Sequence, residues 1–146
     1  MSGKAFLDTN IFVYMQSAPE TEKKELCFRA LDNFECVAST QVLNELCNVL
    51  LKKFNMKTED VAQVITAVDS ACEMSVVTVE TVETALRLKE RYGYSYYDSL
   101  ILASALACDC DYLFSEDMSD SQMIENRLEI VNIFARPAFI NKDGKD

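Results

Sequence analysis

Residues 4–15 read KAFLDTNIFVYM, an apolar run interrupted by a carboxylate at Asp8. The pattern predicts a short strand from Lys4 to Asp8, followed by a helix that starts at Thr9, runs to Gln16 and is closed by Pro19. An aspartate after a strand commonly caps the next helix. A capping role alone leaves open why the charge sits where the chain otherwise reads as core.

The same strand-then-helix alternation continues outward from this stretch. Residues 20–34 have amphipathic spacing, with Leu26, Ala30, Leu31 and Phe34 inward, and residues 36–39 read as a second strand. A third helix is predicted over 40–54, a fourth over 58–73 with Thr58 as its cap, and a third strand over MSVVTV (74–79). The helix through ETALRLKERYG stops at Gly93, and Ser95 opens the next, through YYDSLILASALA. DYLFS (111–115) is the fourth strand, and after a loop and short helix LEIVNIF (128–134) supplies a last one. Such alternation predicts an α/β fold with three layers, a central, mainly parallel sheet of four or five strands lying between helices. Residues 1–138 are expected to form one domain and 139–146 a polar tail.

Composition narrows the chemistry. The chain has 146 residues, 49% apolar, with 3 Gly and 2 Pro, which suits one helix-rich globular unit. No apolar stretch reaches the roughly 18 residues of a membrane span, and no basic segment leads an apolar run, so a cytoplasmic protein without membrane contact is expected. The 6 cysteines show no C-x-x-C spacing and read as reduced core thiols. Cys108 and Cys110 lack the histidine that would complete a zinc site. The chain contains no histidine at all, which excludes Ser-His-Asp and Cys-His catalysis. Chemistry here must run on carboxylates.

The net charge of −10 counts against a nucleic-acid partner, because phosphates repel an acidic surface. It is reconciled if the negative charge concentrates in a pocket that holds cations, or if a basic protein is the partner. The basic residues Lys52, Lys53, Lys57, Arg87 and Arg91 read as solvated helix faces.

Ligands of open parallel sheets bind outside the carboxyl ends of the strands. Asp8 ends the first strand there, Glu45 is early in the helix leaving the second, Asp117 follows the fourth, and Asp98 opens the helix that feeds it. Each has a plain alternative. Asp8 and Asp98 can cap helices, Glu45 borders an apolar arc, and Asp117 sits in a turn-like SEDMSD. Together they are harder to dismiss, since two carboxylates about 5 Å apart repel by roughly 3 kcal/mol at an effective dielectric near 20. A divalent cation relieves this, and an all-oxygen site selects Mg²⁺ or Mn²⁺ over zinc or copper. Such a pocket suits water activation and phosphodiester hydrolysis.

The segments FLDTNIFVY, TQVLNEL, YGYSYYDSLILASAL, DYLFSEDMSDSQMIE and LEIVNIF, in this order, resemble the PIN-domain ribonucleases, especially the VapC-like toxins of bacterial toxin–antitoxin modules. The resemblance implies a PIN-like fold and an Mg²⁺- or Mn²⁺-dependent endoribonuclease, with Asp8, Glu45, Asp98 and Asp117 as the catalytic, metal-binding acids. It implies supporting roles for Ser115 and for Thr9 or Asn10, a homodimer, an RNA substrate and a basic antitoxin seated in the acidic groove. Ser115 stands where threonine is frequent, Ser121 where glycine is frequent, and Ile133 where proline is common. Tyr92, Tyr94, Tyr96 and Tyr97 flank Asp98 and offer either packing or stacking on unpaired bases. Two rival readings are a non-catalytic PIN-like binding module and an aspartate-nucleophile phosphatase. The phosphatase needs a second aspartate two residues after Asp8, where this chain has Asn10.

Overall fold

The computed structural model describes residues 3–17 and 19–143. The chain forms strand β1 (Lys4–Leu7), helices α1 (Thr9–Met15) and α2 (Glu22–Asn33), strand β2 (Glu35–Ser39), and helices α3 (Thr40–Lys52) and α4 (Thr58–Ala71). Strand β3 (Glu73–Ser75), helices α5 (Val79–Tyr92) and α6 (Tyr96–Ala107), strands β4 (Tyr112–Phe114), β5 (Met123–Ile124) and β6 (Leu128–Val131), and helix α7 (Pro137–Asp143) follow. The sheet order is β3-β2-β1-β4-β6-β5, parallel except for the antiparallel β5–β6 pair. Ala5, Phe6, Leu7, Val37, Ala38, Leu113, Phe114, Ile130 and Val131 are fully buried, as expected for strands covered on both faces.

Helix α6 is the clearest product of its sequence. Residues Ser99 to Leu106 are all buried, and a helix that is apolar all round belongs in the interior. It packs on α5, β2 and β4, which fixes where its first turn, with Asp98, meets the sheet edge. Gly93, at φ 82, closes α5 in the left-handed conformation and turns the chain toward Ser95, whose side chain caps α6.

The sheet has six strands rather than the four or five expected. The additional one is β5, in the place assigned to a short helix. It is turned back on β6 by Glu125 and Asn126, whose φ values of 53 and 58 give the primed turn that hairpins favour. Those two residues replace the usual Asn-Gly signal. Strand β3 is shorter than MSVVTV because Val77 N–H donates to Thr40 Oγ1, drawing the chain off the sheet after Ser75. The last strand likewise ends at Val131, where Asn132 donates its N–H to Asp120 Oδ1 and its own side chain accepts from Phe134 N–H. Lys57, not Thr58, holds the cap position of α4 and gives it no side-chain cap.

The stretch read as a polar tail from residue 139 begins inside α7. Pro137 starts this helix, Ile140 is fully buried, and Phe139 stacks on Phe34 with ring centroids 6.0 Å apart. Two apolar side chains therefore dock the segment on α2. The end of the expected tail, 144–146, lies outside the described residues.

Candidate active site

The chain moves from β1 to β2 on one side and returns to β4 on the other, so β1 and β4 flank the point where the strand order reverses. Crevices open at such points, outside the carboxyl ends of the strands. Register places Leu7 beside Phe114, and the ladder runs one residue further as Asp8 N–H donates to Phe114 carbonyl at 3.1 Å. Asp8 and the loop beginning at Ser115 are therefore neighbours by strand pairing, although 107 positions apart in sequence.

Asp8, Glu45, Asp98 and Asp117 line one pocket of about 310 Å³, together with Thr9 and Asn10. All four acids anticipated from the sequence converge. Asp8 Oδ1 accepts from Thr9 N–H at 2.8 Å, so the residue does cap α1, while Oδ2 accepts from Ser115 Oγ at 2.9 Å. Ser115 Oγ in turn accepts from Asp117 N–H at 3.2 Å, so one buried hydroxyl joins two of the acids. Thr9 Oγ1 donates to Glu45 Oε1 at 2.6 Å, and Asn10 Nδ2 donates to Asp117 Oδ2 at 3.2 Å. Asp98 N–H is capped by Ser95 Oγ at 3.2 Å, and the Asp98 side chain lines the pocket. The capping and the converging roles coexist.

Two residues beside Glu45 went unremarked in the sequence. Gln41 Nε2 donates to Glu45 Oε2 and to the Tyr97 carbonyl, both at 3.1 Å, which ties α3 to the start of α6. Asn48 lines the pocket one helical turn beyond Glu45. Their positions four before and three after Glu45 on α3 are the signal that could have found them.

Of the four tyrosines, Tyr92 and Tyr94 are structural. Tyr92 donates to Glu125 Oε2 and accepts from Glu125 N–H, while Tyr94 donates to Gln122 Oε1 and accepts from Ser119 N–H. Tyr96 packs on the core, and Tyr97 is 64% exposed. A further link, from Tyr14 to Glu116 and from Lys23 to both, anchors the loop that carries Asp117.

The electrostatics follow from this packing. Burial is the largest cause that lifts Asp8 from 3.8 to about 6, against the hydrogen bonds from Ser115 and Thr9, with Glu45 and Asp98 adding repulsion. Asp98 is also raised, by burial first and then by Asp117 and Glu45. Among the described residues, the ion pairs of Lys and Arg all go to other acids, and none reaches these four. Their supporters are hydroxyls, amides and backbone N–H groups, which hold the carboxylates without cancelling their charge.

No group of three acid, cysteine or histidine side chains among the described residues is drawn into direct metal-ligating spacing. The donor set nevertheless fits a hard cation. It is all oxygen, it lacks a protein counter-charge, and Mg²⁺ typically takes only one or two carboxylates directly while keeping several waters. A loose ring of acids around a polar pocket suits that habit better than a tight cage.

The sequence matches the PIN domain family over residues 5–125. This chain belongs to the PIN-domain family. Curated proteins give no match by sequence. Among solved structures the PIN fold seen here is similar to that of VapC20 from Mycobacterium tuberculosis, a sarcin-ricin loop cleaving toxin. Identity is 18%, the TM-score is 0.66, and the match covers 84% of this chain and 98% of that one. It is also similar to a toxin–antitoxin complex from Klebsiella pneumoniae, at 20% identity and TM-score 0.65, covering 88% of this chain and 96% of that one. A third similar structure is VapBC2 from Rickettsia felis bound to a DNA fragment from its promoter, at 21% identity and TM-score 0.62, covering 88% and 99%. Among the described residues, no helix of this PIN domain is long and apolar enough to cross a membrane.

Proposed function

We propose that this PIN-domain protein is a metal-dependent endoribonuclease, the cytoplasmic toxin of a toxin–antitoxin pair, using Mg²⁺ or Mn²⁺ held by Asp8, Glu45, Asp98 and Asp117. The observation that carries the reading is the meeting of four acids from four distant segments in one pocket, with no cationic side chain paired to any of them among the described residues. Bound there, the ion supplies positive charge for the phosphodiester oxygens and acidifies a water for attack.

The remaining work falls to the chain. Ser115 and Thr9 N–H hold Asp8, Thr9 Oγ1 and Gln41 hold Glu45, and Asn10 holds Asp117, so that the carboxylates face the pocket in fixed positions. A carboxylate of this cluster is the group able to take the proton that an attacking water sheds. The net charge of −10 suits a basic antitoxin covering the acidic groove, and a similar fold occurs in a toxin–antitoxin complex. The proposed working form is a homodimer.

The test uses purified protein freed of any partner, incubated with RNA and separately with a phosphomonoester, with Mg²⁺, Mn²⁺ or EDTA. RNA cleavage that EDTA stops and Asp8→Asn abolishes supports the reading. Cleavage that survives either treatment, or phosphomonoester turnover without RNA cleavage, overturns it. Inertness toward both substrates points to a non-catalytic binding module instead.

A further inference from the structure

Next to the acidic pocket lies a second one of about 530 Å³, formed by one stripe of α3 (Thr40, Gln41, Asn44, Glu45, Asn48) and by Tyr97 of α6. Glu45 and Asn48 line both, so the two adjoin. Glu45 is the single charged side chain of this second wall, and the rest of its polar lining is amide and hydroxyl.

That chemistry is wrong for a phosphate, which needs cations or clustered N–H donors, and right for a neutral heterocycle bearing both donors and acceptors. Asn44 and Asn48 are exposed amides at i and i+4, spaced to meet one planar edge. Gln41 is 8% exposed and its orientation is fixed, because both partners of its Nε2 are acceptors. Its Oε1 is buried without a hydrogen-bond partner among the described residues, an unused acceptor on a residue that lines the pocket, which a base amino group entering beside it would satisfy. Tyr97, 64% exposed, offers a ring face at the rim, held edge-on by Tyr96 with centroids 5.3 Å apart.

We propose that this amide-lined pocket is the binding subsite for one unpaired RNA base adjacent to the scissile phosphodiester, read by Asn44, Asn48 and Gln41 and stacked on Tyr97. The inference deepens the ribonuclease reading and rests on it. It gives an acidic protein a way to hold RNA that does not depend on attracting the backbone. Through Gln41, which touches Glu45, a seated base is coupled directly to the acids.

The test titrates isotope-labelled Asp8→Asn protein, which keeps this pocket intact, with each of the four ribonucleoside monophosphates and with ribose 5-phosphate, followed by amide resonances. The expected result is that nucleotides shift the side-chain amides of Asn44, Asn48 and Gln41, ribose 5-phosphate does not, and one base binds best. Tyr97→Ala and Asn44→Ala should each weaken nucleotide binding by about fivefold or more, the low end of a lost stacking contact. Asn44→Gln should restore part of it. Equal shifts from ribose 5-phosphate, or nucleotide binding unchanged in both alanine variants, overturn the subsite. RNA cleavage by the wild-type chain is measured in parallel. Metal-dependent cleavage without nucleotide shifts at these amides refutes the subsite and leaves the nuclease reading intact. Nucleotide shifts without any cleavage refute the nuclease reading and support base binding at this wall.

Discussion

Replacing Asp8 by asparagine should make the metal-free protein more stable at neutral pH while destroying its chemistry. Asp8 is half-buried, and burial is the main reason its carboxyl is lifted from 3.8 to about 6. At about 1.36 kcal/mol per pH unit, that displacement corresponds to about 3 kcal/mol of cost for holding the charge in the fold. The variant removes the cost but also changes the hydrogen bonds. Asparagine can still accept from Thr9 N–H, whereas its amide group now meets Ser115 Oγ, whose hydroxyl proton loses the acceptor it had in Asp8 Oδ2. Losing that one bond returns about 1 kcal/mol. Residual solvent contact takes a further share, so a net gain of about 1–2 kcal/mol is expected at pH 7.5.

The sign fixes the pH window. A carboxyl raised in the fold favours the folded state when protonated, so wild-type stability falls as pH rises from about 4 through about 6 and then levels. Asp98 is raised too, and it repels Asp8, so the difference between the two proteins reports the removal of Asp8 together with the easing of that repulsion on Asp98. Urea denaturation in EDTA, run from pH 4 to pH 8, should give two curves that lie closest at the acid end, diverge between about pH 4 and about pH 6, and run parallel above. Added Mg²⁺ should then stabilise the wild type more than Asp8→Asn. A variant that is less stable than wild type at pH 7.5 in EDTA would refute the claim that Asp8 is held against its own electrostatic preference.

Three further outcomes test the surrounding structure. Thr9→Val deletes the hydroxyl that donates to Glu45 Oε1 at 2.6 Å, and should lower RNA cleavage by about tenfold or more, with Thr9→Ser restoring most of it in the same kinetic assay. Ser121 holds φ 75, a left-handed conformation that costs a side chain about 1–2 kcal/mol, so Ser121→Gly should raise stability by up to about 1 kcal/mol after glycine's greater freedom in the unfolded chain is counted. A loss of thermal midpoint in that variant would contradict the strain. Burial pushes the thiols of Cys27, Cys36 and Cys110 up to about 12 and that of Cys72 up to about 11, so brief iodoacetamide treatment at pH 8 should modify these four only after unfolding. Peptide mass spectrometry reads the result directly, and native labelling of Cys36 at the unfolded rate would be the wrong answer.

The parallel sheet was legible because its strands are continuous apolar runs and each is followed by a helix with its own start signal. Asp8 stood out for the same reason, as a charge at the end of such a run, and α6 made Asp98 conspicuous by being apolar everywhere else. Strand β5 was not legible. Its turn uses Glu125 and Asn126 in conformations that sequence rarely assigns to glutamate, and its two residues carry no period. Helix α7 was hidden because Phe139 and Ile140 gain their meaning from Phe34 and α2, over a hundred positions away. Gln41 was hidden differently, since a helical glutamine reads as surface until its two acceptors, Glu45 and the Tyr97 carbonyl, are brought to it by the fold.

The placement of charge answers why a carboxylate interrupts the first strand. Lys4, Lys23, Arg91, Arg127 and Arg136 neutralise acids elsewhere on the chain. Around the pocket, the same job of fixing carboxylates is given to Thr9, Asn10, Gln41 and Ser115, which contribute geometry and no charge. Had arginine or lysine been used instead, the acids would sit in low-energy ion pairs and would have little affinity left for an external cation. Neutral supports keep the repulsion among Asp8, Glu45 and Asp98 alive in the folded state, where it adds to the burial that chiefly raises the proton affinity of Asp8. Protons and divalent ions relieve that repulsion in competition, so the affinity of the pocket for Mg²⁺ or Mn²⁺ should weaken as pH falls toward about 6, in step with the protonation of Asp8.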